Sequence, residues 1–433
     1  MKNLNLKNCL VILGCITIFG LFLKENISAI LFIGFIFFSL VNLIEKKKKN
    51  IILQRTSKII IVLMVAYFLI GVTGVIINPE SKKNYLTRLL PFLFSPFLFY
   101  IFQDLRNKNM LFIKCFVLGN IILLVFLDIS AIIDMITNQS LFIVKEGREY
   151  YRFLYTRYTN PNYFNHIYLS LYTFFSAILI YQFKLTTSRL KWITLTYFFI
   201  HLFMIGSRAM IISILFGSLI YLFILAIIKK KHLKYLFIYI FCIASLFSIT
   251  YVFKDTLLFN RYSQVFEWYG KRDNILERNY SINNRIKIYI LGASVINEGN
   301  GGIQGTGIAE EKIKNTYSKK FKNEFPFKTK TYNTHNQFIN NNNGNKFKPI
   351  KTNNYIDWGY AGLITLSLLL ILVIKQAIEK QNYALAFFWI SFTLLLMMEC
   401  ILYRQRGIML FVIFFALLEN TSKSNILNPN IND

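Results

Sequence analysis

Uninterrupted apolar runs about as long as a bilayer is thick recur along this 433-residue chain, and no other feature restricts its fold so strongly. A helix needs roughly 20 predominantly apolar residues to cross the hydrocarbon core. "ISAILFIGFIFFSLVNLI" (27–44) and "IIIVLMVAYFLIGVTGVII" (59–77) are two such runs. Apolar residues make up 55% of the chain, with 43 Phe, against about 45–50% in soluble domains. The expected fold is all-α and polytopic.

The formal net charge of +28 raises the question of nucleic acid. The lysines and arginines, however, lie mainly between apolar spans, where such charge orients the chain and contacts anionic lipid. No nucleic-acid partner is expected. The five cysteines (Cys9, Cys15, Cys115, Cys242 and Cys400) fall in or beside apolar runs, so neither a disulfide framework nor a zinc site is indicated. The start "MKNLNLKNCLVILGCITIFGLFL" is basic but lacks a small-x-small cleavage pattern. It reads as a retained first span.

Hydropathy predicts about twelve spans, near 9–23, 27–44, 59–77, 86–102, 110–135, 163–183, 192–206, 209–228, 235–253, 356–374, 384–402 and 407–419. The run 192–228 is long enough for two crossings, and "IGSRAM" (205–210) supplies a Gly-Ser turn at its middle. The short basic loops "EKKKKN" (45–50), "QDLRNKN" (103–109), "KLTTSRLK" (184–191) and "KKKHLK" (229–234) alternate with two crossings between each. The positive-inside rule places them, and both termini, in the cytoplasm. This gives an N-terminal bundle (1–253), a large periplasmic loop (254–355), C-terminal spans (356–419) and a cytoplasmic tail (420–433). Internal repeats and paired interrupted spans, the pointer to a transporter site, are not visible.

Few polar residues in this pattern can do chemistry. Arg208 stands at the expected outer end of a two-helix hairpin, against the charge bias. It reads either as a side chain snorkelling to the headgroups or as a site facing the bundle interior, and intramembrane charge favours the second. Its planar fork suits a diphosphate. "SINNRIKIYILGASVI" (281–296) reads as an interfacial helix, basic at its start; Lys287 is taken as an anchor, and for Arg285 anchor and site both stand. "GIQGTGIAEEK" (302–312) has the glycines of a phosphate loop but no preceding strand, and reads as a backbone turn. Glu399, with Arg404 and Arg406 just beyond, is expected in an internal ion pair. Asp128 and Asp134 invite the same reading but have no evident partner in sequence. His335, one of four histidines, is either a solvated loop residue or a base on the outer face. The asparagine-rich tract 340–354 is compositional.

Taken in order, these segments resemble the O-antigen ligase and O-antigen polymerase superfamily. "SRA" (207–209) looks like its Ser-Arg at the outer end of a central span. "NNRIKIY" (283–289) is similar to its Arg-x-x-x-Trp helix, with Tyr289 in place of Trp, and "GTG" (305–307) to the following glycine turn. "THNQF" (334–338) resembles its His-Asn motif near the end of the loop, and "WGYAGLI" (358–364) the opening of the next span. "NPNYFNHIYLSLY" (160–172) and "MMECILYRQRG" (398–407) fit less specific landmarks. The tract between Ile339 and Asp357 looks like an insertion. The resemblance spans roughly residues 150–410.

What the resemblance implies is glycan transfer from undecaprenyl diphosphate at the outer face of the inner membrane, with no cofactor and no metal. Arg208 and Arg285 would hold the diphosphate, and His335 would act at the acceptor hydroxyl. Asn336, Glu399 and Arg404 would support them. The acceptor would be a lipid A core for a ligase or a growing glycan for a polymerase. A protein O-glycosyltransferase is a third option, and a transporter or flippase for lipid-linked sugar is the rival from another class. Sidedness is directly testable. In a cysteine-free background, cysteines at Asn342 and Lys351 should react with an impermeant thiol reagent added from outside, and one at Lys47 only after permeabilisation; the reverse pattern would overturn the topology.

Overall fold

The computed structural model describes residues 6–45, 54–77, 84–145, 148–151, 165–183, 185–228, 237, 239–240, 354–399, 401–403 and 405–421. Its helices are α1 (Leu6–Gly20), α2 (Glu25–Glu45), α3 (Arg55–Ile77), α4 (Asn84–Leu93), α5 (Ser95–Asp104), α6 (Asn109–Thr137), α7 (His166–Phe183), α8 (Ser188–Ile205), α9 (Arg208–Ile228), α10 (Asn354–Glu379), α11 (Tyr383–Met398) and α12 (Gln405–Glu419). The protein is helical, as its continuous apolar runs require. One short hairpin was not anticipated: β1 (Phe142–Lys145) pairs antiparallel with β2 (Arg148–Tyr151), Phe142 opposite Tyr151. It lies between the expected spans 110–135 and 163–183.

Six helices among the described residues are long and apolar enough to cross a membrane, and seven if α4 and α5 form one bent span. That bend, of 42°, has a local cause. Pro96 has no N–H for the carbonyl of Phe92, which instead accepts from the Ser95 hydroxyl at 2.8 Å.

The helices fall into two compact units. In the first, α12 is the central helix, buried without a break from Gly407 to Leu417. Phe411 meets Phe92 of α4 at 6.2 Å between ring centroids, and Phe415 meets Phe99 of α5 at 5.5 Å. Lipid is as apolar as these rings, so close packing and polar contacts rather than water exclusion hold such helices together. A buried polar knot supplies one such contact. Ser57 of α3 donates to Glu419 of α12 at 2.6 Å, and the Gln376 amide of α10 donates to Ser57 at 2.7 Å and to Glu419 at 2.8 Å.

In the second unit α7 plays the central part. Its span is 72% buried against 28% for α9, which is the more exposed helix of the two. Phe175 of α7 contacts Phe116 of α6 at 5.5 Å and stacks on Phe388 of α11 at 4.3 Å. Helix α9 reaches α11 through Gly217, where an added Cβ would sit 3.0 Å from the Ser391 Cα. This is the close approach of small residues expected between membrane helices.

"WGYAGLI" acquires a physical meaning here. Gly359 interrupts α10 with φ 62° and ψ −157°, a conformation open essentially to glycine alone. Gly359→Ala should lower stability by about 1–3 kcal/mol, read as thermal denaturation in detergent. Gly34→Ala in α2 is the control: an added methyl there meets nothing within 4 Å, and stability should hold or rise.

Candidate functional site

The turn between α8 and α9 presents the described part of the site. Helix α8 stops because Gly206 takes a left-handed conformation (φ 62°, ψ 31°), its N–H closing on the carbonyl of Phe203 at 3.1 Å. The expected turn at 205–210 is therefore present, but α8 and α9 do not pack along one another as a tight hairpin would. The carbonyl of Ser207 accepts from the N–H of Ile211 at 3.0 Å, which starts α9 with Arg208 as its first residue. Ser207, Ala209 and Met210 are buried and fix the backbone, while the Arg208 side chain is half-buried.

The electrostatics of this turn favour an anion. A helix N-terminus carries partial positive charge and free N–H groups, and a cationic side chain there is ordinarily unfavourable. An anion seated on the turn would offset both. Ser207 was quoted in sequence only as part of a motif, yet its hydroxyl is buried and lacks a hydrogen-bond partner among the described residues. An orphaned buried hydroxyl calls for a ligand oxygen or a water.

A second polar group lies deeper in the same unit. Nε2 of His201, on α8, sits 3.1 and 3.0 Å from the two carboxylate oxygens of Asp128 on α6. The Tyr197 hydroxyl donates to the same carboxylate at 3.0 Å. Sequence reasoning found no partner for Asp128 because the partner is 73 residues away. The available signal was the pair Tyr197 and His201, four apart on one helix face within an apolar span.

Glu399 is buried just beyond α11, at 5% exposure, as an internal ion pair would require. Arg406, in the first turn of α12, donates to the carbonyl of Leu23. Arg285, Lys287, His335, Asn336 and Arg404, together with the loop 254–353, lie outside the described residues. Of the expected diphosphate and catalytic residues, Arg208 alone has a described environment. Among the described residues no three His, Cys, Asp or Glu side chains converge as metal ligands.

Residues 192–340 match the family model described as O-Antigen ligase. The resemblance to the O-antigen ligase superfamily is thereby supported on a segment holding Arg208, Arg285 and His335. It starts in α8 and stops two residues after Phe338, where the asparagine-rich tract begins. No curated protein matches the chain.

The turn separates structural from functional roles. Gly206→Ala should cost about 1–2 kcal/mol, because a side chain at that φ is strained. Arg208→Ala should leave the melting temperature within a degree or two of wild type, since a half-buried helix-terminal side chain adds little packing. A large loss of stability in Arg208→Ala would make the arginine a structural residue.

Proposed function

We propose that the chain transfers a glycan from undecaprenyl diphosphate to an acceptor at the periplasmic face, as an O-antigen ligase acting on lipid A core. One observation carries the reading. A half-buried arginine opens a helix directly after a serine whose buried hydroxyl has no partner among the described residues, within the segment that matches the O-antigen ligase family. These are the groups a diphosphate needs.

In this reading the chain has about twelve spans, both termini are cytoplasmic, and the loop 254–355 is periplasmic. No ATP or nucleotide sugar reaches that side, so the donor must carry its own activation. Displacing a lipid diphosphate from an anomeric carbon moves negative charge onto the leaving phosphate. Arg208 and Arg285 stabilise that charge by fixed electrostatics, with no metal or cofactor needed. His335 takes the proton of the attacking acceptor hydroxyl, a contribution of about 10²–10⁴-fold. Asn336, Glu399 and Arg404 hold this arrangement in place. Anionic lipid contacts the basic cytoplasmic loops.

The proposed site tolerates two acceptors. A ligase uses lipid A core; a polymerase extends the glycan on its own carrier. Deleting a ligase should leave long glycan on the carrier lipid and none on the core, whereas deleting a polymerase should leave single repeat units on the core. Unchanged surface glycan would favour a transporter for lipid-linked sugar.

The base is tested at His335. Activity should rise with pH through the range of a free imidazole, about 6.5, and then level off, since a base must be neutral to accept a proton. His335→Gln keeps hydrogen bonding but cannot accept the proton, and should lose at least about a hundredfold in kcat. Near-normal activity would send the search for a base elsewhere. With wild-type protein, transfer should survive EDTA, and Arg208→Lys should lose most activity because a point charge cannot reproduce the bidentate fork.

A further inference from the structure

We propose that Asp128 and His201 hold one proton between them, as a net-neutral clamp that pins α8 to α6 and so sets the Gly206–Arg208 turn. Nδ1 of His201 lies 2.9 Å from the backbone carbonyl of Tyr197. A carbonyl can only accept, so Nδ1 carries a hydrogen and donates it. Nε2 faces both carboxylate oxygens of Asp128, at 3.1 and 3.0 Å. An imidazole lone pair and a carboxylate oxygen do not attract each other without a hydrogen between them. One proton therefore lies between Nε2 and Asp128, as imidazolium with carboxylate or as imidazole with carboxylic acid. Either form has zero net charge. The Tyr197 hydroxyl also donates to Oδ2, at 3.0 Å.

The surroundings demand neutrality. His201 is 4% exposed. The residues around Asp128 on α6 are large and apolar, with Phe126 55% and Ile129 53% exposed. On a membrane-spanning helix such a surface faces hydrocarbon, where an uncompensated charge is costly and an ionisable residue is paired. His201 precedes Gly206 by five residues, under two helical turns. Pinning His201 fixes the rotation of α8, and with it the direction in which the capping glycine delivers Ser207 and Arg208. Asp128 and His201 are thus positioning residues. Their consequence for catalysis rests on Arg208 being a donor ligand; the clamp itself does not.

Two readouts keep these apart. The first is the rate at which a Ser207→Cys probe, in a cysteine-free background in detergent, reacts with a soluble thiol reagent. The second is the KM and kcat for lipid-diphosphate donor in chains that retain Ser207. Asp128→Asn should behave like wild type in both, because its amide donates to Nε2 and its carbonyl accepts from Tyr197 without charge. His201→Gln takes from the carboxylate its imidazole partner within an apolar span; the probe should react about tenfold faster and the donor KM should rise about tenfold, with kcat changed far less. The double variant, Asp128→Asn with His201→Gln, pairs two neutral amides and should recover both values. If His201→Gln does not accumulate, recovery of a folded protein by the added Asp128→Asn supports the clamp equally. An unprotected Asp128→Asn, or a double variant no better than His201→Gln, overturns it. The predicted probe pattern with an unmoved KM supports the clamp and removes Arg208 from the donor site.

Discussion

Hydrocarbon offers a backbone no hydrogen bonds, so each chain segment crossing it must pair its own N–H and C=O groups. That constraint forces the helices and then disciplines the polar side chains on them. Thr173, Thr194, Ser213 and Thr393 each return their hydroxyl to the carbonyl four residues earlier, at 2.7–2.8 Å. Groups that cannot be satisfied locally must reach another helix. The Ser57–Gln376–Glu419 knot and the Asp128–His201 pair are the two solutions of that kind described above. Apolar contact alone would leave the helices free to slide; a buried polar pair fixes their register.

The same constraint explains why the candidate site sits where a helix breaks. A continuous helix has spent its N–H groups, whereas α9 begins at Arg208 with its first turn open. The glycine cap on α8 makes that break sharp. Two other breaks among the described residues are handled differently. Ser95 repairs the carbonyl freed by Pro96, and Gly359 absorbs a kink in α10. At Gly206 the break coincides with a charge and an orphaned hydroxyl. The proposal that the turn binds an anion rests on that coincidence.

Much of this was legible in the sequence, because span length and a Gly-Ser turn are local signals. The expected boundaries near 27–44, 59–77 and 209–228 fall on α2, α3 and α9 within a few residues. The break between α4 and α5 was missed; Pro96 marks it, but the run 86–102 remains apolar across it. The β1–β2 hairpin was missed because four-residue strands carry almost no periodicity. The partner of Asp128 was missed for a different reason: pairing across two helices depends on their relative rotation, which a hydropathy profile does not contain. For Arg208 the sequence supplied the residue and the turn, and the structure added its burial and the neighbouring hydroxyl. The ordered motifs from "SRA" to "THNQF" were legible as a family pattern, and the match over 192–340 covers that stretch.

The central claim is a chemical one: energy for transfer comes from the polyprenyl diphosphate bond and from nothing else. Purified full-length protein should be mixed with lipid-diphosphate-linked glycan and lipid A core, without nucleotide, and both products counted. The account predicts one undecaprenyl diphosphate released for each glycan that appears on the core. Release without transfer, transfer that requires a nucleotide, or passage of intact lipid-linked glycan across a bilayer with no bond broken would contradict it.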